Sequence, residues 1–121
     1  MARLLRVLPV AHQIETSSEG WIVLASVELW DDHVVLHFAQ EQRPAPGLAQ
    51  RAYQWSISDD LGTPYRSIGG GMAANRGGAE DRERIRGHAE FVPAVPFGAS
   101  ELIIAPPLLR LSEPSVVDLS S

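Results

Sequence analysis

The sequence predicts an all-β fold, an antiparallel sandwich of about seven or eight strands. Three observations predict it. Apolar residues recur with period two, Gly or Pro breaks nearly every window long enough for helical periodicity, and turn-forming residues punctuate the chain at even intervals. At 121 residues the chain fits one domain, 1–121, able to bury roughly 65% of the surface its unfolded form exposes. It contains no cysteine, so the core must hold without disulfides, and thiol catalysis and cysteine-ligated metal sites are excluded.

The elements follow in order. WIVLASVELW (21–30) is rich in β-branched and aromatic residues, and HVVLHFAQ (33–40) follows after only Asp31 and Asp32, the spacing of a tight hairpin. In the second of these strands Val34, Leu36 and Phe38 share one face and Val35, His37 and Ala39 the other. Two largely apolar faces predict a central strand. EQRPAPGLAQ (41–50) holds two prolines and a glycine, so it leaves the ladder and carries the chain between sheets. Tyr53, Trp55 and Ile57 then alternate with Ala52, Gln54, Ser56 and Ser58, a strand with one buried face. DDLGT turns the chain and PYRSI (64–68) starts a return strand.

After a glycine-rich tract, RERIRGHAEFV (82–92) places Ile85, Gly87, Ala89 and Phe91 on one side and Arg84, Arg86, His88 and Glu90 on the other. PAVPFGAS forms a turn, ELIIA (101–105) a further strand, and the prolines at 106–107 close it. LLRL and SVVDL (115–119) are candidates for short terminal strands. The expected core runs from about 5 to 106, with a flexible loop at about 69–81 and a C-terminal tail at about 112–121.

Two segments, YQWSISDDLGTPYRS and GHAEFVPAVPFGASELII, carry a resemblance. A strand ending in an Asp-Gly hairpin is followed by an aromatic residue; a second strand ends Phe-x-x-Pro before a Gly-bearing turn and a last core strand. The pattern, over roughly residues 20 to 106, resembles small immunoglobulin-like β-sandwich domains of uncharacterised bacterial proteins. The resemblance implies an immunoglobulin-like sandwich and attaches no catalytic signature. Members of that family commonly follow a signal peptide or a lipid-modified cysteine. Here Arg6 interrupts the apolar N-terminal residues and no stretch approaches the ~18 apolar residues of a membrane helix, so the expected location is the cytoplasm, without membrane insertion.

Charge narrows the partners. The formal net charge is −5 and the ten basic residues are all Arg, which disfavours general nucleic-acid binding and removes Schiff-base and Walker-lysine chemistry. IGGGMAANRGGAEDRERIRG (68–87) has the look of a phosphate cradle, yet its glycines fit neither the Walker nor the dinucleotide spacing. It reads as a loop. Arg82, Arg84 and Arg86 share one face of an extended strand, and Arg76 could reach them from that loop to grip an anion. Interleaved Glu80, Asp81 and Glu83 make the plainer reading a solvated face that deters aggregation.

His33 and His37 have a helical metal-pair spacing, but in a strand they stand ~13 Å apart, too far for one zinc. His33 with Asp31 or Asp32 is the remaining metal combination, and His12 and His88 have no partner identifiable from sequence. Asp31–Asp32 and Asp59–Asp60 are adjacent pairs, better suited to turns than to the paired carboxylates of a glycosidase. Ser67 lacks the glycine of a nucleophile elbow. Trp55 reads as core, whereas Trp21 and Trp30 are candidates for half-exposed rings that stack on a sugar or anchor a partner. The expectation is a non-enzymatic interaction module that binds a protein partner or itself, with no catalytic residue, metal or cofactor. The alternative is a small-ligand module for a sugar or an anion. Candidate contacts are Trp30, Asp31, Asp32, Arg82, Arg84 and Arg86.

Overall fold

Alternating side chains need two facing layers to bury one side of each strand, and two sheets form. The structure, a computed structural model, describes residues 1–16, 20–42, 55–77, 82–105 and 114–119. Among these residues lie eight strands and no helix: β1 (Leu4–Thr16), β2 (Gly20–Trp30), β3 (Val34–Gln42), β4 (Ser56–Asp59), β5 (Arg66–Gly77), β6 (Arg82–Val92), β7 (Glu101–Ala105) and β8 (Ser115–Asp118). One sheet has the order β1-β2-β3-β6-β5 and the other β4-β7-β8. All six pairings are antiparallel, and neither sheet closes into a barrel. No helix among the described residues is long and apolar enough to cross a membrane.

The hairpin at Asp31–Asp32 forms as expected: Leu29 pairs with Val34, and the Trp30 N–H donates to the His33 carbonyl at 3.0 Å. β3 is the middle strand of five. Val34, Leu36 and Phe38 enter the core, and Val35 is buried on the opposite face. From β6, Ile85, Ala89 and Phe91 enter the same core, where they meet Leu102 and Ile104 of β7. Trp55 packs on Phe38 at a ring separation of 5.4 Å, and this joins the two layers.

Four elements differ from the sequence reading. The N-terminal segment is a 13-residue strand, hidden from periodicity because its register with β2 shifts twice, between Leu4 and Arg6 and between Pro9 and His12; each shift reverses which face a side chain takes. DDLGT does not fold β5 back on β4. It is an arch between sheets, since β4 pairs with β7 and β5 with β6. The expected loop at 69–81 is strand as far as Gly77, inside β5, so Arg76 sits in a ladder opposite Glu83 and not in a loop. The terminal strand expected at SVVDL forms, as β8, but it is no tail outside the core: Val117 and Leu119 are part of the core, which therefore extends past 106. Most of the 41–50 linker, the prolines at 106–107 and LLRL lie outside the described residues.

Candidate functional site

The β2–β3 hairpin brings Trp30, Asp31, Asp32 and His33 to one corner. There Trp30 stacks on His33, ring centroids 5.2 Å apart and planes 17° from parallel, so His33 covers one face of the indole. The indole Nε1 donates to Glu28 Oε1 at 3.1 Å, and the other oxygen of Glu28 lies 3.1 Å from His37 Nε2. Asp32 pairs with the His33 Nδ1. Asp31 Oδ1 accepts from the Arg3 N–H at 3.0 Å while the Asp31 N–H donates to the Arg3 carbonyl at 3.0 Å. Trp30, Asp31 and Asp32 are thus assembled, and each is engaged within the chain. The two bonds of Asp31 to Arg3 pin the N-terminal segment to the hairpin. Among the described residues no three His, Asp or Glu side chains gather in an arrangement that could hold a metal ion.

The arginines lie elsewhere. Val34 pairs with Phe91 and Ala39 with Arg86, which at ~3.4 Å per residue separates the hairpin end from Arg86 by about 17 Å. Arg84 and Arg86 are exposed on the outer face of β6. Arg82 opens the strand opposite Gly77, and its side chain, like those of Trp21, Arg76 and His12, lies outside the described residues. No single pocket can combine both candidate groups.

Beside β6 lies β5, the last strand of its sheet. The outer-face residues of β6 stand opposite small residues of β5: Arg86 opposite Ala73, His88 opposite Gly71, Glu90 opposite Gly69. The His88 ring leans over β5, since a Cβ on Gly71 would meet its Cε1 at 3.0 Å. The same ring approaches His37, centroids 6.1 Å apart. At Gly70, φ is +156° and an added Cβ would lie 2.2 Å from the His88 carbonyl oxygen. Only glycine lets the two backbones come this close. The tract that reads as a loop is a strand pressed against its neighbour, bulged between Ser67 and Gly69.

The Asp59–Asp60 pair closes the arch. Asp59, 8% exposed, accepts from the N–H groups of Leu61 and Thr63 at 2.9 and 3.1 Å and from the Tyr65 hydroxyl at 2.7 Å. Burial raises its pKa, but hydrogen bonds from Thr63, Tyr65 and Leu61 outweigh this and hold it at about 2. Burial and then the neighbouring Asp59 push the Tyr65 hydroxyl well up. Asp60 reaches across to Ser100, accepting from its N–H at 2.9 Å and its hydroxyl at 2.7 Å; those two bonds lower its pKa. Ser100 in turn accepts from the Leu119 N–H at 2.9 Å, and Leu119 accepts from the Arg6 guanidinium at 3.1 Å. This relay binds the arch, the β6–β7 turn, the C-terminal segment and β1 into one end of the fold. Sequence reading assigned Asp59 a turn, as found, but Asp60 and Ser100 are 40 residues apart and no local signal links them.

Compared with protein-family models, with curated proteins and with solved structures, the chain matches none.

Proposed function

We propose that this chain is a non-enzymatic interaction module of immunoglobulin-like topology, and that a protein partner docks by adding a strand to the outer edge of β5. The strand order supports the topological part. β2-β3-β6-β5 facing β4-β7-β8 corresponds to the ABED and CFG sheets of constant-type immunoglobulin domains, with β1 added outside. Trp55 just before β4, against Phe38 of β3, stands where such domains place a tryptophan on strand C packed near strand B.

The observation that carries the functional part is the character of β5. Among the described residues four strands end sheets, and three are poor docking edges. β4 and β8 have four residues each. β1 is interrupted by Pro9, by a register shift at Pro9/His12 and by Ala11 at φ 51°, devices that blunt an edge. β5 has 12 residues; its bulge lies near its start, between Ser67 and Gly69, and from Gly69 to Gly77 its register is unbroken, with no described strand on its outer side and no charged residue from Ser67 to Asn75. Its unpaired N–H and C=O groups are the template that β-augmentation uses.

A photoreactive amino acid at position 73, irradiated in lysate from the source cells, tests this. A specific adduct whose purified partner protects the amides of residues 66–77 from hydrogen exchange supports the reading. Protection confined to the Trp30 corner or the Asp60–Ser100 end, or no adduct above background, refutes it.

A further inference from the structure

We propose that the His88 ring is a pH-driven switch on the outer face of the five-stranded sheet, resting over Gly71 when neutral and turning one row along β5, to lie over Gly69 beside Glu90, when charged. The device goes beyond the docking reading and stands without it. A switch of this kind requires two places for the ring and a charge that prefers one of them. The first place is filled, since a Cβ on Gly71 would meet the ring Cε1 at 3.0 Å. The second is open: Gly69 is exposed, and a Cβ built on it meets nothing within 4 Å. Gly71 stands opposite His88 and Gly69 opposite Glu90, so the ring passes between adjacent rows of one face.

The surrounding charges set the direction. His37 of β3 stands directly opposite His88, ring centroids 6.1 Å apart, and its Nε2 lies 3.1 Å from Oε2 of Glu28 on β2. Glu28 is thus a counter-ion that keeps a charged His37 where it is, and that charge repels a charged His88 across the ladder. On β6 itself His88 is flanked by Arg86, opposite Ala73, and by Glu90. Arg86 repels an imidazolium from the Ala73 side, and Glu90 attracts it toward Gly69. From β5 the opposing residues are Gly69, Gly71 and Ala73, none with a side chain longer than a methyl, and none charged. Among the described residues these four, His37, Glu28, Arg86 and Glu90, are the titratable or charged groups that the register sets around the ring.

Histidine is the side chain that changes charge between pH 5 and 8. Acidification therefore acts on the two facing rings together. On the docking reading, a strand added to β5 meets one surface at neutral pH and another in acid.

Nuclear Overhauser contacts of the His88 ring in the full chain, read at about pH 8 and about pH 5, test the switch. The expected result is a contact from His88 Hε1 to the Gly71 α-protons at the higher pH, lost at the lower in favour of the Gly69 α-protons. Glu90→Gln, which removes the attraction, and His37→Asn, which removes the repulsion, should each reduce the share of rings transferred, with a dispersed amide spectrum showing that the fold is intact. A Gly71 contact that persists through the His88 titration overturns the proposal, as does a ring that leaves Gly71 without reaching Gly69. A transfer as complete in either variant as in the wild type overturns it too, and so does loss of the dispersed spectrum before His88 titrates. The position-73 adduct decides the docking reading separately.

Discussion

Three consecutive glycines in β5 provide a graded test of how closely β5 and β6 approach. An alanine at Gly69 meets nothing within 4 Å, but φ there is +129°, so the cost is backbone strain alone, about 1–2 kcal/mol. At Gly70 φ is +156° and the new Cβ lies 2.2 Å from the His88 carbonyl oxygen and 3.1 Å from the Ala89 Cα. The oxygen is more than an ångström inside ordinary contact and belongs to backbone, which cannot rotate away. Strain and overpacking together should cost about 3–4 kcal/mol, a large share of the roughly 5–15 kcal/mol by which domains are stable. At Gly71 the obstacle is the His88 ring at 3.0 Å, a side chain able to shift, so Gly71→Ala should stay within about 1 kcal/mol. Urea unfolding of the three variants, followed by tryptophan fluorescence, supplies the ladder. A fall in m for Gly70→Ala would report β5 detaching before the rest unfolds. If Gly70→Ala proves no more costly than Gly69→Ala, the close approach of β5 to β6 is wrong, and so is the edge built on it.

Leu36→Ala, which empties a fully buried position on the central strand, should cost about 2–5 kcal/mol in the same denaturation experiment. Because the folded pKa of Asp59, about 2, lies below the unfolded 3.8, Asp59 stabilises the fold above pH 3.8 and that contribution is lost as pH falls through about 2. Asp59→Asn should therefore flatten the acid limb of a melting-temperature profile between those values; an unchanged limb would refute the assignment. Tyr65→Phe removes the 2.7 Å bond to Asp59, which should cost about 1–2 kcal/mol and, by NMR titration, move the Asp59 pKa upward. Ser100→Ala should raise the pKa of Asp60, whose hydroxyl partner it removes, and titration of the Asp60 carboxyl carbon would detect it.

The candidate contacts show how far local reading reaches. Arg84 and Arg86 were legible as sharing a face, because alternation belongs to one strand. That Trp30 is stacked on His33, or that Arg86 stands over Ala73 at a sheet edge, was not legible, since each depends on which segments become neighbours. The glycine tract shows the same limit: glycines serve a loop and a close strand approach equally well, and only the position of the His88 carbonyl separates the two.

By itself the sequence determined the all-β class, the inward faces of β3 and β6, the hairpin at Asp31–Asp32 and the burial of Trp55, since side-chain period and turn chemistry are properties of short segments. Tertiary structure alone decided that the DDLGT turn is an arch and not a hairpin, that β1 joins the sheet, and that β5 ends it. The reason is physical: strands pair through backbone N–H and C=O groups that nearly every residue carries alike, so packing of the shared core, and not local residue identity, selects each strand's partner.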